Sequence, residues 1–413
     1  EFSGYDWPEL HATGTPAVSP YVTGELVVPA AVTNDGVTYT VSALDTGAFY
    51  ECTGITEVTL PQTVLSIGDG AFWWCTGIDE LELPGTVMSI GDFAFANCSG
   101  IGTISAPGAK TIGKFAFANC SGATELSLPD TVTTIGNSAF MSCSGLQQVF
   151  IPASVTSLGE SAFVACTALQ KARFAAKSPL ATLPTTVFAS CTGLTELELP
   201  SGLTGIDSAA LRLTAIKSIN LPATVTSISA NAFESSSLTS ITIPAAVTEI
   251  GMEAFKSCLQ LRQVTFADSS RLATIGYAAF EECSGIESLD IPDSVTTIGG
   301  SALKSCTGLT SLSLPENAEF TEIPDSMASS CTGLADITIP SNVTTIGGGA
   351  FYYCEALNAV TVPASVKSIG GAAFGVCSAL VSLTLEGTEV KTIADDSFIE
   401  YTGIVGGSEV GTA

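Results

Sequence analysis

The feature that most constrains this chain is a motif of about 23 residues that recurs along almost its whole length. The pattern is L-x-x-[LIV]-x-[LI]-P-x-x-V-x-x-[IL]-G-x-x-A-F-x-x-C-x-G, as in residues 78–100 and 286–308. Self-similarity at a period of roughly 20–50 residues predicts a solenoid, in which successive repeats stack and share one core. We count about 16 repeats, so the 413 residues need not divide into separate globular domains.

Each repeat predicts a strand, a corner and a short turn. Residues 194–200, LTELELP, alternate leucine with glutamate, which is typical of a strand with one buried and one exposed side. Proline then ends the strand, because it cannot donate a hydrogen bond to the ladder. We expect the later glycine to supply a tight corner or a positive φ. We expect the A-F-x-x-C segment to form a short helical or 3₁₀ turn whose Phe lies in the core.

Together the repeats predict a strand-rich α/β solenoid, with a parallel sheet on one face and short helical or 3₁₀ turns on the other. The expected divisions are an N-terminal cap or linker at 1–25, a solenoid at 26–403 and a C-terminal tail at 404–413. Within the first repeat, Asn34-Asp35-Gly36 predicts a hairpin turn. Two consecutive repeats within 207–238 lack the cysteine, and we predict weaker packing or altered curvature there.

Thirteen cysteines would ordinarily suggest disulfides, but they fall once per repeat, as Cys98, Cys120 and Cys143 do. One cysteine per repeat predicts a buried ladder of free thiols that pack as small apolar side chains. Neither a CxxC zinc spacing nor a D-x-[DN]-x-[DN]-G calcium loop is present. We therefore expect no metal site and no cofactor.

The charge of the chain is strongly negative. Its net charge is −27, and residues 1–109 contain 13 acids and no Lys or Arg. Such a surface excludes nucleic acid as a partner, since that binding depends on neutralising phosphates with basic side chains. The acidic N-terminal part is either a solvated face or an electrostatic docking end. No apolar run reaches the ~18 residues of a membrane span, so no transmembrane segment is expected.

Catalysis has little support in the sequence. His11 is the one histidine, and it lies outside the repeats, where an exposed terminal side chain is expected. No nucleotide-binding fingerprint occurs, and the glycines are accounted for by the corners of the repeats. Carboxylate pairs on the strands face solvent together, whereas a glycosidase needs two carboxylates in unlike environments. We predict a non-enzymatic protein.

The outward side of the predicted sheet is the first candidate for a binding surface, because extended sheet faces are where solenoids commonly bind partners. Its side chains run from acidic, through a basic pair, into Ser and Thr. The candidate residues are Glu57, Glu80, Glu82, Glu125, Phe150, Lys171, Arg173, Glu196 and Glu198. A strand face that is merely soluble would have the same composition, so that alternative stays open.

A set of aromatic residues near the N terminus is the second candidate. The candidate residues, here called the aromatic patch, are Tyr50, Trp73, Trp74, Phe93 and Phe115. Most other repeats carry small or charged residues at these positions, so we expect the patch to be exposed or half-exposed and to contact a protein or a glycan. The alternative is that it packs beneath the N-terminal segment, against Phe2, Tyr5 and Trp7.

The combination I-P-x-x-V-x-x-I-G-x-x-A-F-x-x-C resembles the BspA-like leucine-rich-repeat family, over roughly residues 26–400. Residues 24–49 are also similar to the usual opening of that family. The resemblance implies a leucine-rich-repeat solenoid on a surface-exposed or secreted bacterial protein, with a role in adhesion or in binding host proteins. It assigns no individual binding residue to this chain.

Our leading hypothesis is a non-enzymatic, cell-surface or secreted module that binds a protein, such as a host matrix component or another cell's surface protein. One alternative is glycan binding through the aromatic patch, and another is a structural spacer without a ligand. We expect an extracellular or cell-surface location. The sequence starts without a methionine or a visible signal peptide, so a lipid anchor upstream of Glu1 is an open alternative.

Overall fold

The computed structural model describes residues 22–387 and the backbone of residues 392–393. The chain divides into two compact units, Glu1–Leu169 and Gln170–Ala413. His11, nearly all of the expected cap and the whole of the expected tail lie outside the described residues.

In the first unit, the predicted strand of each repeat lies on what we call the front face. The strands are parallel and in register, so that Val58 stands beside Leu81, and both are buried beneath the face. The front-face strands are Thr23–Val27, Gly54–Thr59, Glu80–Glu82, Thr103–Ser105, Glu125–Ser127 and Gln148–Ile151. Alternation of apolar and polar residues thus gives the face that the sequence predicted.

A second set of parallel strands, which the sequence did not predict, forms a side face. Most of these strands are the two-residue step before the recurring glycine, and the second residue of each strand, such as Ile90 or Ile112, is buried. The first unit has six of them in one sheet: Ala43–Leu44, Ser66–Ile67, Ser89–Ile90, Thr111–Ile112, Thr134–Ile135 and Ser157–Leu158. The repeat therefore bends inward twice, and both bends supply core residues.

An antiparallel hairpin interrupts the first repeat, as predicted. Its strands, Ala31–Asn34 and Val37–Thr40, are joined at Asp35 and Gly36, whose φ angles are 49° and 76°. Two consecutive positive φ angles are the requirement of the tight hairpin turn that an Asp-Gly pair favours.

The second unit repeats both faces. Its front-face strands are Lys171–Phe174, Glu196–Glu198, Ser240–Ile243, Gln263–Phe266, Ser288–Asp290, Ser311–Ser313, Asp336–Thr338, Ala359–Val362 and Ser382–Leu385. Its side-face strands are Thr182–Leu183, Gly205–Ile206, Ser227–Ile228, Glu249–Ile250, Thr274–Ile275, Thr297–Ile298, Glu322–Ile323, Thr345–Ile346, Ser368–Ile369 and Thr392–Ile393.

The two repeats without cysteine keep a complete interior. Leu211 and Phe233 are fully buried, and Thr214 and Ser236 occupy the cysteine position as buried hydroxyls. The hydroxyl of Thr214 donates to the carbonyl of Leu211 at 2.9 Å. The difference from the other repeats lies on the front face, where residues 218–220 form no strand. The predicted weaker packing is therefore not found in the core.

Phenylalanine rings form the predicted ladder through the core. Phe95, Phe117 and Phe140 have no exposed surface, and their ring centroids follow one another at 5.2 and 5.6 Å with nearly parallel planes. This spacing is close to the ~4.8 Å between strands, so one ring fits each repeat. Replacing a buried Phe by Ala typically costs about 3–5 kcal/mol, which makes the ladder a principal source of stability.

The cysteines form a second ladder beside the rings, and all 13 are buried and outside any disulfide. Cys98 donates its S–H to the carbonyl of Phe72 in the preceding repeat, at 3.1 Å, and Cys120 does the same to Phe95 at 3.2 Å. Burial raises the pKa of the Cys98 and Cys120 thiols well above the ordinary value. These thiols are therefore structural hydrogen-bond donors and poor nucleophiles.

The prediction of short helical or 3₁₀ turns at A-F-x-x-C is wrong for the described residues, none of which is helical. The segment at 93–98 shows why. The N–H of Phe95 donates to Ala116 in the next repeat, whereas the N–H of Ala96 donates back to Phe93. Because every second amide donates its hydrogen bond to the next repeat, no continuous series of helical hydrogen bonds can form. Left-handed residues at Phe93 and Asn97, with φ of 59° and 62°, reverse the chain between these turns.

The recurring glycine is required for a reason other than the positive φ considered above. A Cβ atom built on Gly113 would lie 2.6 Å from the backbone of Gly91 and Asp92 in the preceding repeat. The glycine is therefore required because two backbones approach closely at this corner.

Candidate binding surfaces

Two of the predicted acidic residues of the first unit, Glu57 and Glu80, form a column on the front face with Glu25. Glu57 stands between Glu25 and Glu80 in adjacent strands, and Glu82 stands beside Thr59. The pKa of Glu57 is raised, chiefly by the charge of Glu25 and then by partial burial and the charges of Glu80 and Glu82. Like charges directly opposite one another on a sheet are destabilising. The carboxylates of this column therefore repel one another, and the first 109 positions contain no basic residue that could neutralise them.

The predicted residues of the second unit are arranged in the opposite way. Lys171 pairs in register with Glu196, and Arg173 with Glu198. Lys171 forms an ion pair with Glu196, and Arg173 Nε lies 2.9 Å from Glu198 Oε2. The hydrogen bond from Lys171 lowers the pKa of Glu196. The basic pair of the front face is therefore already neutralised by acids of the next repeat.

Two further residues of the predicted front-face surface also face solvent. Glu125 is exposed on its strand, and the side chain of Phe150 is 52% exposed. The sequence placed all nine front-face candidates on one side of their strands. The structure places Glu57 and Glu80 in one column, with Glu82 on the same strand as Glu80, and it forms ion pairs among the four candidates of the second unit.

The aromatic patch is more buried than the sequence indicated. Trp73 and Phe93 are 8% and 6% exposed, and Tyr50 and Phe115 are partly buried against them. Trp73 packs against Tyr50 at a centroid distance of 5.4 Å and against Phe93 at 5.5 Å, and Phe93 stacks on Phe115 at 4.9 Å. Trp74 is the exposed member, at 44%. Four of the five residues thus form a small hydrophobic cluster outside the phenylalanine ladder.

The second unit carries a charge ladder that the sequence analysis missed. At the position after the core Phe or Leu, successive repeats place residues of alternating sign: Arg212, Glu234, Lys256, Glu281 and Lys304. Arg212 bonds Glu234 at 2.8 Å, while the buried Glu281 bonds Lys256 at 3.0 Å and Lys304 at 3.2 Å. Alternation of sign at a period of one repeat was the signal that could have revealed it.

Glu253 and Asn231 connect the two parts of this charge ladder. The amide of Asn231 donates to both Glu234 and Glu253 at 2.9 Å, and Glu253 also pairs with Lys256 at 2.9 Å. Hydrogen bonds from Lys256 and then from Asn231 lower the pKa of Glu253. In turn, the carboxylates of Glu253 and Glu281 raise the pKa of Lys256.

A shallow groove of about 550 Å³ follows the side face of the first unit, over the glycine corners. Its carboxylates are already engaged by the backbone. Asp69 accepts the N–H of Asp92 at 2.8 Å, and Asp92 accepts the N–H of Lys114 at 2.7 Å. These aspartates therefore hold neighbouring repeats together. Within residues 22–387 no helix is long and apolar enough to cross a membrane.

The repeat sequence matches one known family. The model of the BspA type leucine rich repeat region matches residues 36–120, 110–238, 226–354 and 321–405. The chain belongs to this family. Leucine-rich-repeat proteins of this kind are generally non-enzymatic scaffolds that bind other proteins.

One solved structure agrees with this assignment. The chain is similar to a leucine-rich repeat protein from Bacteroides ovatus, with 25% identity, a TM-score of 0.73, and coverage of 93% of this chain and 92% of that chain. It also matches a leucine rich cell surface protein from Faecalibacterium prausnitzii, with 27% identity, a TM-score of 0.42 and coverage of 88% of both chains. A search of curated proteins finds no match.

Proposed function

We propose that this BspA-type protein is a cell-surface or secreted adhesion module that binds a protein partner through the acidic front face of its first unit. The partner is a protein with a basic surface patch, such as a component of a host matrix or of another cell's surface. The family supports the general role, since its members are bacterial surface-type scaffolds.

The column Glu25, Glu57 and Glu80 is the observation that carries the proposal. Three carboxylates in file on adjacent parallel strands cost stability, and the raised pKa of Glu57 is a sign of that cost. A basic partner would neutralise these carboxylates on binding. The repulsion that destabilises the free protein would then be absent from the complex, which makes the free energy of binding more favourable.

The second unit provides the internal comparison. At equivalent front-face positions, Glu196 and Glu198 face Lys171 and Arg173, so the same strand geometry tolerates ion pairs. The absence of any base before Lys110 is therefore a property of this sequence and not a requirement of the fold. We infer that the uncompensated column is the docking surface and the compensated one is not.

The test is binding of the full chain to a panel of basic and acidic extracellular proteins by biolayer interferometry. Affinity for a basic partner should fall steeply between about 50 and 300 mM NaCl. The double variant Glu57→Gln with Glu80→Gln should bind about tenfold more weakly at low salt, because it removes two adjacent carboxylates from the column.

Glu249→Gln with Glu322→Gln is the matched control. Both residues are exposed on side-face strands of the second unit, so this variant loses the same formal charge elsewhere. Equal weakening by the two double variants would indicate only a bulk charge effect and would contradict the assigned surface. A panel that binds nothing would favour a structural spacer.

A further inference from the structure

The second unit carries a groove of about 570 Å³ on its front face. Outward side chains of the strands Gln263–Phe266 and Ser288–Asp290 line it, together with the segments that follow each strand, residues 267–270 and 292–294. No member of the groove was among the predicted site residues. It is a concave place on the front face.

The groove exists because its repeat is two residues longer than the usual repeat, which adds a loop after Phe266. The loop is held at both ends by the preceding repeat. The N–H of Ala267 donates to Ile243, and the N–H of Arg271 donates to Ala245, each at 3.0 Å. The wall of the groove is therefore set in place by backbone hydrogen bonds before any ligand arrives, which lowers the ordering cost of binding.

Two carboxylates of the groove are oriented by neighbours outside it. The hydroxyl of Ser313 donates to Asp290 Oδ1 at 2.8 Å, and the N–H of Glu316 donates to Asp293 Oδ1 at 2.9 Å. The second oxygen of each carboxylate makes no hydrogen bond within the described part of the chain. Each aspartate thus offers one acceptor in a fixed position, and Asp268 on the loop adds a third carboxylate.

Donors line the same groove as these acceptors. The guanidinium of Arg262 and the amide of Gln263 are exposed, and no ion pair among residues 22–387 involves Arg262. The hydroxyls of Thr265 and Ser288 can donate or accept. Half-buried Phe266 contributes an apolar surface at the edge of the strand.

This combination is selective among ligand classes. Three carboxylates disfavour an anionic ligand. A cationic ligand has only donors, so it could not accept hydrogen bonds from Arg262 or Gln263. A polyol needs both donors and acceptors, because each of its hydroxyls donates one hydrogen bond and accepts others. The volume lies within the usual range of small-molecule sites, roughly 300–1,000 Å³.

We propose that the groove between residues 262 and 294 binds a short stretch of neutral glycan. Asp268, Asp290 and Asp293 accept hydrogen bonds from its hydroxyls, while Arg262 and Gln263 donate to its oxygens. The site lies in the second unit and takes an uncharged ligand, so it is independent of the acidic column of the first unit. Such a protein would have one surface for a basic protein and another for a glycan.

The experiment is saturation-transfer NMR on the full chain, followed by titration, with a panel of neutral trisaccharides. The panel contains maltotriose, cellotriose, mannotriose and N,N′,N″-triacetylchitotriose. At least one should bind saturably. Asp290→Ala and Asp268→Ala should each weaken that binding about tenfold or more, because each removes a hydrogen bond to a charged acceptor.

Asp336→Ala is the matched control, since Asp336 is also an exposed front-face aspartate but lies outside the groove. It should bind like the unaltered protein, and circular dichroism should show all three variants folded. Gln263→Ala, which removes a neutral exposed side chain, keeps the test valid if an aspartate variant unfolds.

Three results would overturn the proposal. The first is the absence of saturable binding by any trisaccharide of the panel. The second is equal weakening by Asp336→Ala and Asp290→Ala. The third is binding of poly-lysine at this groove with no binding of a sugar, which would make it a cation site. None of these depends on whether the first unit binds a basic protein.

Discussion

The residue that follows the core phenylalanine is used in opposite ways by the two units. In the first unit it belongs to an apolar cluster, where Trp73 packs between Tyr50 and Phe93. In the second unit the same position carries alternating charges, and the buried Glu281 bridges Lys256 and Lys304. The backbone pattern is the same in both, with left-handed residues four apart in each repeat.

The difference shows what a stacked repeat demands of a half-buried position. Identical positions in adjacent repeats lie next to one another, so each side chain contacts its equivalents and residues close to them in the neighbouring repeats. Apolar residues satisfy this by stacking, and charged residues satisfy it only if their signs alternate. The column at Glu25, Glu57 and Glu80 satisfies neither condition, which is why we assign it to binding.

The largest effect is expected in the aromatic cluster. Trp73→Ala should lower the free energy of unfolding by about 3–5 kcal/mol, because it leaves a cavity between two rings. Urea unfolding followed by far-ultraviolet circular dichroism measures this for both variants, and the loss should be the same at low and high salt. Trp74→Ala, at an exposed neighbouring position, should change stability by less than about 0.5 kcal/mol. Equal losses would show that the cluster is not packed as described.

A smaller, salt-dependent effect is expected in the charge ladder. Glu281→Gln should cost about 1–2 kcal/mol, because two lysines lose a partner but remain 29% and 43% exposed to water. Urea unfolding followed by far-ultraviolet circular dichroism should show the loss shrinking by half or more near 1 M NaCl. Glu287→Gln, an exposed control in the next repeat, should have little effect. A loss that salt does not change would mean that Glu281 contributes by packing alone.

The smallest effects distinguish the two units by the sign of their pH dependence. Glu57 has a pKa raised above its ordinary value of 4.5, so its charge destabilises the fold at neutral pH, and the penalty disappears as the pH falls through that raised pKa toward 4.5. Glu253 has a lowered pKa, so its contribution is present above pH 4.5 and is lost as the pH falls through its folded-state pKa.

Glu57→Gln should therefore raise the melting temperature at pH 7, and the gain should vanish near or below pH 4.5. Glu253→Gln should lower the melting temperature at pH 7, and the loss should fade only at more acidic pH. Melting curves of both variants between pH 3.5 and 7 measure this. Parallel pH profiles of the two variants would contradict the contrast between an uncompensated and a compensated carboxylate.

Much of the fold could be predicted from the period alone. The ladder of Phe95, Phe117 and Phe140, the buried thiols and the outward side of the front-face strands follow from residues that recur at one spacing. The A-F-x-x-C segment was misread because its local pattern favours a helical turn. In the structure, every second amide of this segment donates a hydrogen bond to the next repeat. The sequence of a single repeat does not reveal such a contact between repeats.

The candidate surfaces also differ in how far they could be predicted from the sequence. The acidic column could be predicted, because strand alternation alone places Glu57, Glu80 and Glu82 on the outward side. The burial of Trp73 could not, since it depends on Tyr50 in the repeat before and Phe93 in the repeat after.

The sequence by itself determined the repeat, the identity of the core residues and the excess of negative charge. The tertiary structure decided which charges are paired, which aromatic residues are covered and where a longer repeat opens a groove. The reason is physical: periodicity specifies what each repeat presents, but burial and pairing depend on distances between side chains of neighbouring repeats, which exist only once the repeats are stacked.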